Sequence, residues 1–192
     1  EARVPGRTTS GAYQLDYFPR PHGTVAAVIW FEEGGETGQW PAGGASSSME
    51  TTSVGELLTL TVSAEDVSVR DPEDTRIEEG PIALTLTWAK HQGPPGEVEW
   101  VRHPSTPEPE PEPDSPDDTA GGPGGGDDDE PPPPEIITLE EGSGTALIQA
   151  RFSSPGEYLL RVRADQFGSA TDSGAGGQCC WTNGYVTVSV TP

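Results

Sequence analysis

Residues 104–135 read PSTPEPEPEPDSPDDTAGGPGGGDDDEPPPPE and hold eleven prolines and eleven carboxylates, with no Lys, no Arg and no large apolar side chain. That tract carries −11 of the chain's formal charge of −22. Nothing in it repays the entropy of ordering a backbone, so it builds no core. Both flanks alternate polar and apolar residues with a period of two, so the tract is an insertion and not a tail. The expectation is a β-module carrying a long acidic Pro/Gly-rich loop.

Leu, Ile, Val and Phe make up 33 of the 192 residues, which on its own falls on the disordered side of the usual composition line. The tract contains none of the four, so the remaining chain reads as one globular unit with a thin core. Glycine (25) and proline (21) are abundant enough to predict many turns and few helices. Nine Arg and the single Lys90 stand against thirty-two acids. No basic face for a phosphate backbone can be assembled from that set, and an anionic membrane surface is disfavoured for the same reason. Divalent cations, basic surfaces and water remain as counter-partners. The longest apolar stretch, Thr24 to Phe31, is eight residues, far short of the ~18 of a membrane span. A start at Glu1, with no basic-then-apolar leader, gives the expectation of a processed, secreted protein.

Strand patterns recur along the chain. Tyr13–Tyr17 alternates, and Thr24–Phe31 is apolar on both faces, as a buried strand would be. A Gly/Ser-rich link covers Gly34 to Ser48. Glu56–Ala64 then places Leu58, Leu60, Val62 and Ala64 on one face, and Ile82–Trp88 does so with Ile82, Leu84, Leu86 and Trp88. Glu97–Val101 follows a Gly-Pro-Pro-Gly turn; Ile136–Leu139, Thr145–Phe152, Tyr158–Ala164 and Tyr185–Val190 come after the tract. Short strands bounded by Gly, Pro and Asp predict a sandwich of two antiparallel sheets.

Ser154-Pro155-Gly156-Glu157-Tyr158-Leu159-Leu160-Arg161-Val162-Arg163-Ala164-Asp165 resembles the PGxYxVxVxVxD stretch of polycystic-kidney-disease-type and cadherin-like immunoglobulin-fold modules of bacterial surface proteins. The stretch from Val54-Gly55-Glu56 to Ala64-Glu65-Asp66 and the Thr87-Trp88 strand stand where such modules carry their second strand, an acidic loop and their third strand, and Tyr185–Val190 matches their last. The resemblance implies an immunoglobulin-like antiparallel β-sandwich over 50–192, interrupted at 104–135 and preceded by an N-terminal extension, 1–49, with two candidate strands. Such modules serve as spacers, adhesive tips and binding units alike.

The chemistry-bearing residues are few. Tyr158, just after a Pro-Gly corner, is placed to bond its hydroxyl back to a loop, with Trp88 packed beneath. Glu65, Asp66, Asp71, Glu73, Asp74 and Asp165 gather at strand ends and in one loop; hard oxygen ligands of that kind are what Ca²⁺ selects, and they equally suit loops facing water. Cys179 and Cys180, the only thiols, are adjacent, which leaves a vicinal disulfide, bonds to other chains, or two free thiols. His22, His91 and His103 have no ligand spacing to them, and no nucleophile elbow occurs. Trp40, Trp100 and Trp181 are either sugar-stacking platforms or cover for a thin core. Ser105, Thr106, Ser115 and Thr119 lie among prolines, as in O-glycosylated stalks. The N-terminal strands have two readings as well. They complete the sandwich in cis as edge strands, or residues 12–31 fill a neighbour's groove through Val25, Ala27, Val28, Ile29, Trp30 and Phe31. The expected function is a non-catalytic subunit of an extracellular bacterial fibre or surface assembly, a head-to-tail homopolymer. The alternative is a carbohydrate- or calcium-dependent binding module of an adhesin or secreted enzyme.

Overall fold

Period-two alternation lets a strand put every second side chain on one face, and two such faces closed on each other form a core. The computed structural model of the chain does this with eleven strands and describes residues 23–32, 35–71, 73, 82–106, 133–166 and 180–192. The candidate strand Tyr13–Tyr17 lies outside the described residues.

One sheet has the order β2-β1-β5-β9-β7, formed by β1 (Val28–Trp30), β2 (Thr37–Gly38), β5 (Leu57–Glu65), β7 (Val98–Arg102) and β9 (Ser143–Phe152). The other runs β3-β11-β10-β6-β8, from β3 (Ala45–Ser46), β6 (Leu84–Gln92), β8 (Ile136–Leu139), β10 (Gly156–Asp165) and β11 (Trp181–Thr191). A further strand, β4 (Glu50–Ser53), lies parallel to β11. With β5-β9-β7 in one sheet and β6-β10-β11 in the other, and with β3 and β4 parallel to the last strand, this is an all-β, immunoglobulin-like sandwich.

Leu60, Val62, Ala64, Ile148, Ala150 and Phe152 from the first sheet meet Leu84, Leu86, Trp88, Leu160, Val162 and Val188 from the second, all buried. The inner faces expected for Glu56–Ala64 and Ile82–Trp88 are therefore the inner faces found, except that Leu58 is only half-buried and Ile82 precedes β6. Trp100 is no exposed platform: it packs half-buried against the core, its ring 6.0 Å from that of Trp88.

Tyr158 closes one end. Its hydroxyl donates to the Ser154 carbonyl at 2.8 Å and its ring lies 4.7 Å from that of Phe152. A Cβ at Gly93 would sit 2.6 Å from the Tyr158 ring, so only glycine lets the chain pass there. Lys90, the only lysine, donates to the Pro94 and Gly96 carbonyls at 2.6 and 2.7 Å and so ties down the Gly-Pro-Pro-Gly turn. Tyr158→Phe is expected to cost about 1 kcal/mol, because the ring still packs but the Ser154 carbonyl loses its donor. In a thermal melt that is a fall of roughly 2–4 °C. An unchanged melting temperature would mean that water takes the hydroxyl's place at no cost.

The N-terminal segment joins this sandwich in cis. β1 pairs antiparallel with β5 in the register Val28↔Glu65, Ile29↔Ala64, Trp30↔Ser63. Ala27 and Ile29 are fully buried, Phe31 packs against the core, and Val25 is 43% exposed. In the single chain, Val25–Phe31 is thus not held in reserve for a neighbour. It takes the alternative of completing the sandwich in cis, because the edge of β5 not paired with β9 offers it a main-chain ladder.

Candidate functional site

Two places on the described surface bring chemistry-bearing side chains together. The first is the end of the sandwich where β5 runs out. Here Glu65, Asp66, Ser68, Arg70, Ile82, Glu141, Gly142 and Ser143 line a shallow polar cleft of about 190 Å³.

Asp66 is its hub. Its Oδ2 pairs with Arg70 Nη1 at 2.6 Å, and its Oδ1 accepts from the Ser68 backbone N–H at 2.9 Å and from Gln166 Nε2 at 2.6 Å. Arg70 goes on to donate to Thr24 Oγ1 and Ser68 Oγ, both at 3.1 Å. Ser68 Oγ bonds both the N–H and the carbonyl of Val25. One carboxylate therefore fastens the loop after β5, the end of β10 and the lead-in to β1. Three of its roughly four acceptor positions are already filled by protein donors.

The other carboxylates expected to share an ion do not converge on it. Asp165, 2% exposed, bonds Arg163. Asp71 turns back to accept from the Glu73 N–H at 2.9 Å, and Glu65 and Glu73 are exposed. Asp74 lies outside the described residues. Among the described residues no three carboxylate, imidazole or thiol groups stand close enough to hold a metal ion. The sequence suggested a shared site because Asp66 and Asp165 each stand at the end of a strand, at what would be one end of the sandwich. What it could not show is that each has an arginine within reach.

The second place is the corner where β11 begins. Trp40 is 56% exposed, and its backbone N–H donates to Thr182 Oγ1 at 3.2 Å, which in turn donates to the Ala27 carbonyl at 2.6 Å. Trp181, next in the chain, is half-buried with the Arg163 guanidinium 4.7 Å over its ring. One exposed indole thus lies beside one already capped by a cation, a smaller platform than three free tryptophans. Cys180 sits in this corner with φ of 78°, an unusual backbone for a non-glycine residue, and the described residues contain no free thiol. Cys179 lies outside them.

Of the candidate glycosylation sites, Ser105 is exposed, and Ser115 and Thr119 lie outside the described residues. Thr106 needs correcting: it is 8% exposed and its hydroxyl donates to the Leu147 carbonyl at 2.6 Å. A sugar there would displace that bond and the packing around it. No helix among the described residues is long and apolar enough to cross a membrane, which leaves β-barrels untouched.

Comparison with known proteins assigns no family. No family model matches the chain, and no curated protein does. Among solved structures it is similar to WR4, a C. elegans member of the MSP family, at 9% identity and a TM-score of 0.34, over 74% of this chain and 92% of that one. A likeness that loose carries no argument about relationship or function.

Proposed function

We propose that this protein is a non-catalytic structural subunit of an extracellular assembly, a homopolymer built head to tail by exchange of the N-terminal strand. The observation behind this reading is the way β1 is held. It is three residues long, sits beside β5, and is fully buried at Ile29, as is Ala27 just before it. A copy of the same strand from a neighbour would make every one of those contacts. Exchange of an identical element in this way is a low-cost route to assembly, and repeated without closure it gives a filament. Secretion is consistent with the acidity and with an adjacent cysteine pair forming a vicinal bond. That bond predicts thiol labelling of the folded protein to fail until reductant is added.

The exposed Trp40 indole and the acidic loops favour a second reading, a carbohydrate- or calcium-dependent binding module. Electron microscopy of the purified chain, with millimolar calcium and with chelator, decides between the two. Filaments in both conditions support the subunit. Monomers in both, with a melting temperature raised by calcium, replace it with the binding module. Monomers whose melt is the same with chelator and with calcium remove both the polymer and the ion.

A further inference from the structure

Of the six Lys and Arg side chains among the described residues, five have their charge or their donors engaged. Arg70, Arg151 and Arg163 pair with Asp66, Glu99 and Asp165, Lys90 donates to two carbonyls, and Arg102 donates to the Ile136 carbonyl. Arg161 alone has neither an ion pair nor a hydrogen bond. Its Nε is turned in and covered, but both Nη groups are open to water. In a chain with ten basic residues against thirty-two acids, a guanidinium without a counter-charge is conspicuous.

Arg161 stands on the outer face of the second sheet, opposite Tyr185 on β11 and Ala89 on β6. β10 lies between those two strands, and the Tyr185 and His91 rings reach across it to within 5.8 Å of each other. On the other side is Arg163, held by Asp165 and stacked on Trp181. Two guanidinium groups and one carboxylate leave this patch net positive in a chain of −22. Glu157, the other acid on that face of β10, is four residues away, about 13 Å along the strand. An arginine among aromatic rings on a flat, half-buried surface has the composition of an interface centre, and its fork of N–H groups fits a carboxylate.

The same chain carries a matching surface. At the end where β5 runs out, Glu65, Glu140 and Glu141 are exposed and have no ion pair among the described residues. Glu140 and Glu141 are the middle of the turn between β8 and β9, which the Gly142 N–H closes on the Leu139 carbonyl at 3.0 Å. The Gly142 carbonyl in turn accepts from the Asp66 N–H at 2.8 Å. The turn is thus fixed before anything docks, which lowers the ordering cost of a contact. Within one chain it does not reach Arg161. The row of Arg161 passes through Ala89, whereas the turn follows Leu139, which pairs with Leu84. Five residues along and two strands across make about 19 Å. A second copy has no such restriction.

We propose that the outer face of the second sheet is an interface for another copy of this chain, with Arg161 receiving the Glu140-Glu141 turn of that copy. End against face is a contact that does not close, so it extends from copy to copy. A turn of this size covers far less than the ~800 Å² per partner of a stable complex, which makes the contact a weak one. It is separate from the exchange of β1, since it opens no groove and transfers no strand.

Carbodiimide coupling of an Arg161→Lys chain tests it, because the reagent joins an amine to a carboxylate that it touches. At about 0.15 M salt the Debye length of ~8 Å screens most of the repulsion between two acidic chains and spares contacts at hydrogen-bond distance. With a mixture of unlabelled and 15N-labelled chains, the mass of each joined peptide pair tells coupling within a chain from coupling between chains. The new amine is expected to couple to Glu140 or Glu141 in pairs of mixed label, and to lose that preference at about 1 M salt. In sedimentation, Arg161→Glu should weaken self-association about tenfold or more, the equivalent of one charge-assisted contact. Mixing that chain with one carrying Glu140→Arg and Glu141→Arg should restore it. Coupling confined to chains of one label overturns the contact between copies. Coupling between copies that shows no preference for Glu140 and Glu141, or charge-reversed chains that stay apart, overturns this turn as the partner. Association unmoved by salt and by Arg161→Glu overturns the interface and leaves the exchange of β1 standing.

Discussion

Removing residues 1–31 should unfold the domain instead of releasing a soluble monomer. Ile29 is fully buried, and its Cδ1 lies so close to Gly184 that a Cβ there would be 3.0 Å away. Phe31 is closer still, at 2.7 Å, so β11 carries glycine where β1 and its end press on the sheet. Burying Ile29 alone is worth about 2–3 kcal/mol, and Ala27 and the half-buried Phe31 add to it. The truncation also strips Gln39 Nε2 and Thr182 Oγ1 of their acceptors, the carbonyls of Ala26 and Ala27. A total loss of about 5 kcal/mol or more takes most of the stability of an ordinary domain. Circular dichroism should show a melting temperature lowered by at least ~10 °C, or no cooperative transition. A truncated chain melting within a few degrees of the full one would show that β1 is dispensable. Adding a peptide of residues 24–32 separates cis from trans: recovery of the transition means that the groove accepts the strand from another molecule, as the polymer requires.

Asp66→Ala is the second substitution with a large expected effect. Asp66 and Arg70 keep only 8% and 14% of their side-chain surface in water, so the pair is not screened as a surface pair would be. Losing the carboxylate leaves the Arg70 guanidinium, the Gln166 amide and the Ser68 N–H without their acceptor. Breaking one side of such a largely buried pair costs about 3 kcal/mol, because the remaining charge has little water to return to. The same change loosens Thr24 and Val25, hence the lead-in to β1. A fall of about 10 °C in the melt is expected, with a smaller fall for Asp66→Asn, which keeps one acceptor oxygen. A loss below about 1 kcal/mol for Asp66→Ala would place the pair in effective contact with solvent.

The strands were largely legible from the sequence, and their limits were less so. Leu60, Val62 and Ala64, or Leu84, Leu86 and Trp88, declare an inner face by alternation alone. The first departure is β6, which continues to Gln92 beyond Trp88, pairing with β10 through an irregularity between Leu159 and Leu160. Nothing in Ala89-Lys90-His91-Gln92 alternates, so only the partner strand reveals it. The second is β11, which begins at Trp181, although Asn183-Gly184 reads locally as a turn. Opposite Arg163 and Val162 it is ladder, because glycine is what the neighbouring Phe31 and Ile29 leave room for. The candidate calcium residues were legible as acids but not as paired acids.

By itself, then, the sequence determined the all-β class, the inner faces of the long strands, the Tyr158 corner and the insertion of an acidic tract. All of these follow from local periodicity or from composition, which a single stretch of chain carries. Tertiary structure alone decided that β1 lies on β5, that β3 and β4 run parallel to β11, and that Asp66 meets Arg70, Ser68 and Gln166. It also decided that Arg161 and Arg163 share a face with Thr87 and Asn183. Each of these joins residues far apart in the chain, or depends on how such segments pack. A period of two says which side chains point inward and leaves open which strand will lie alongside.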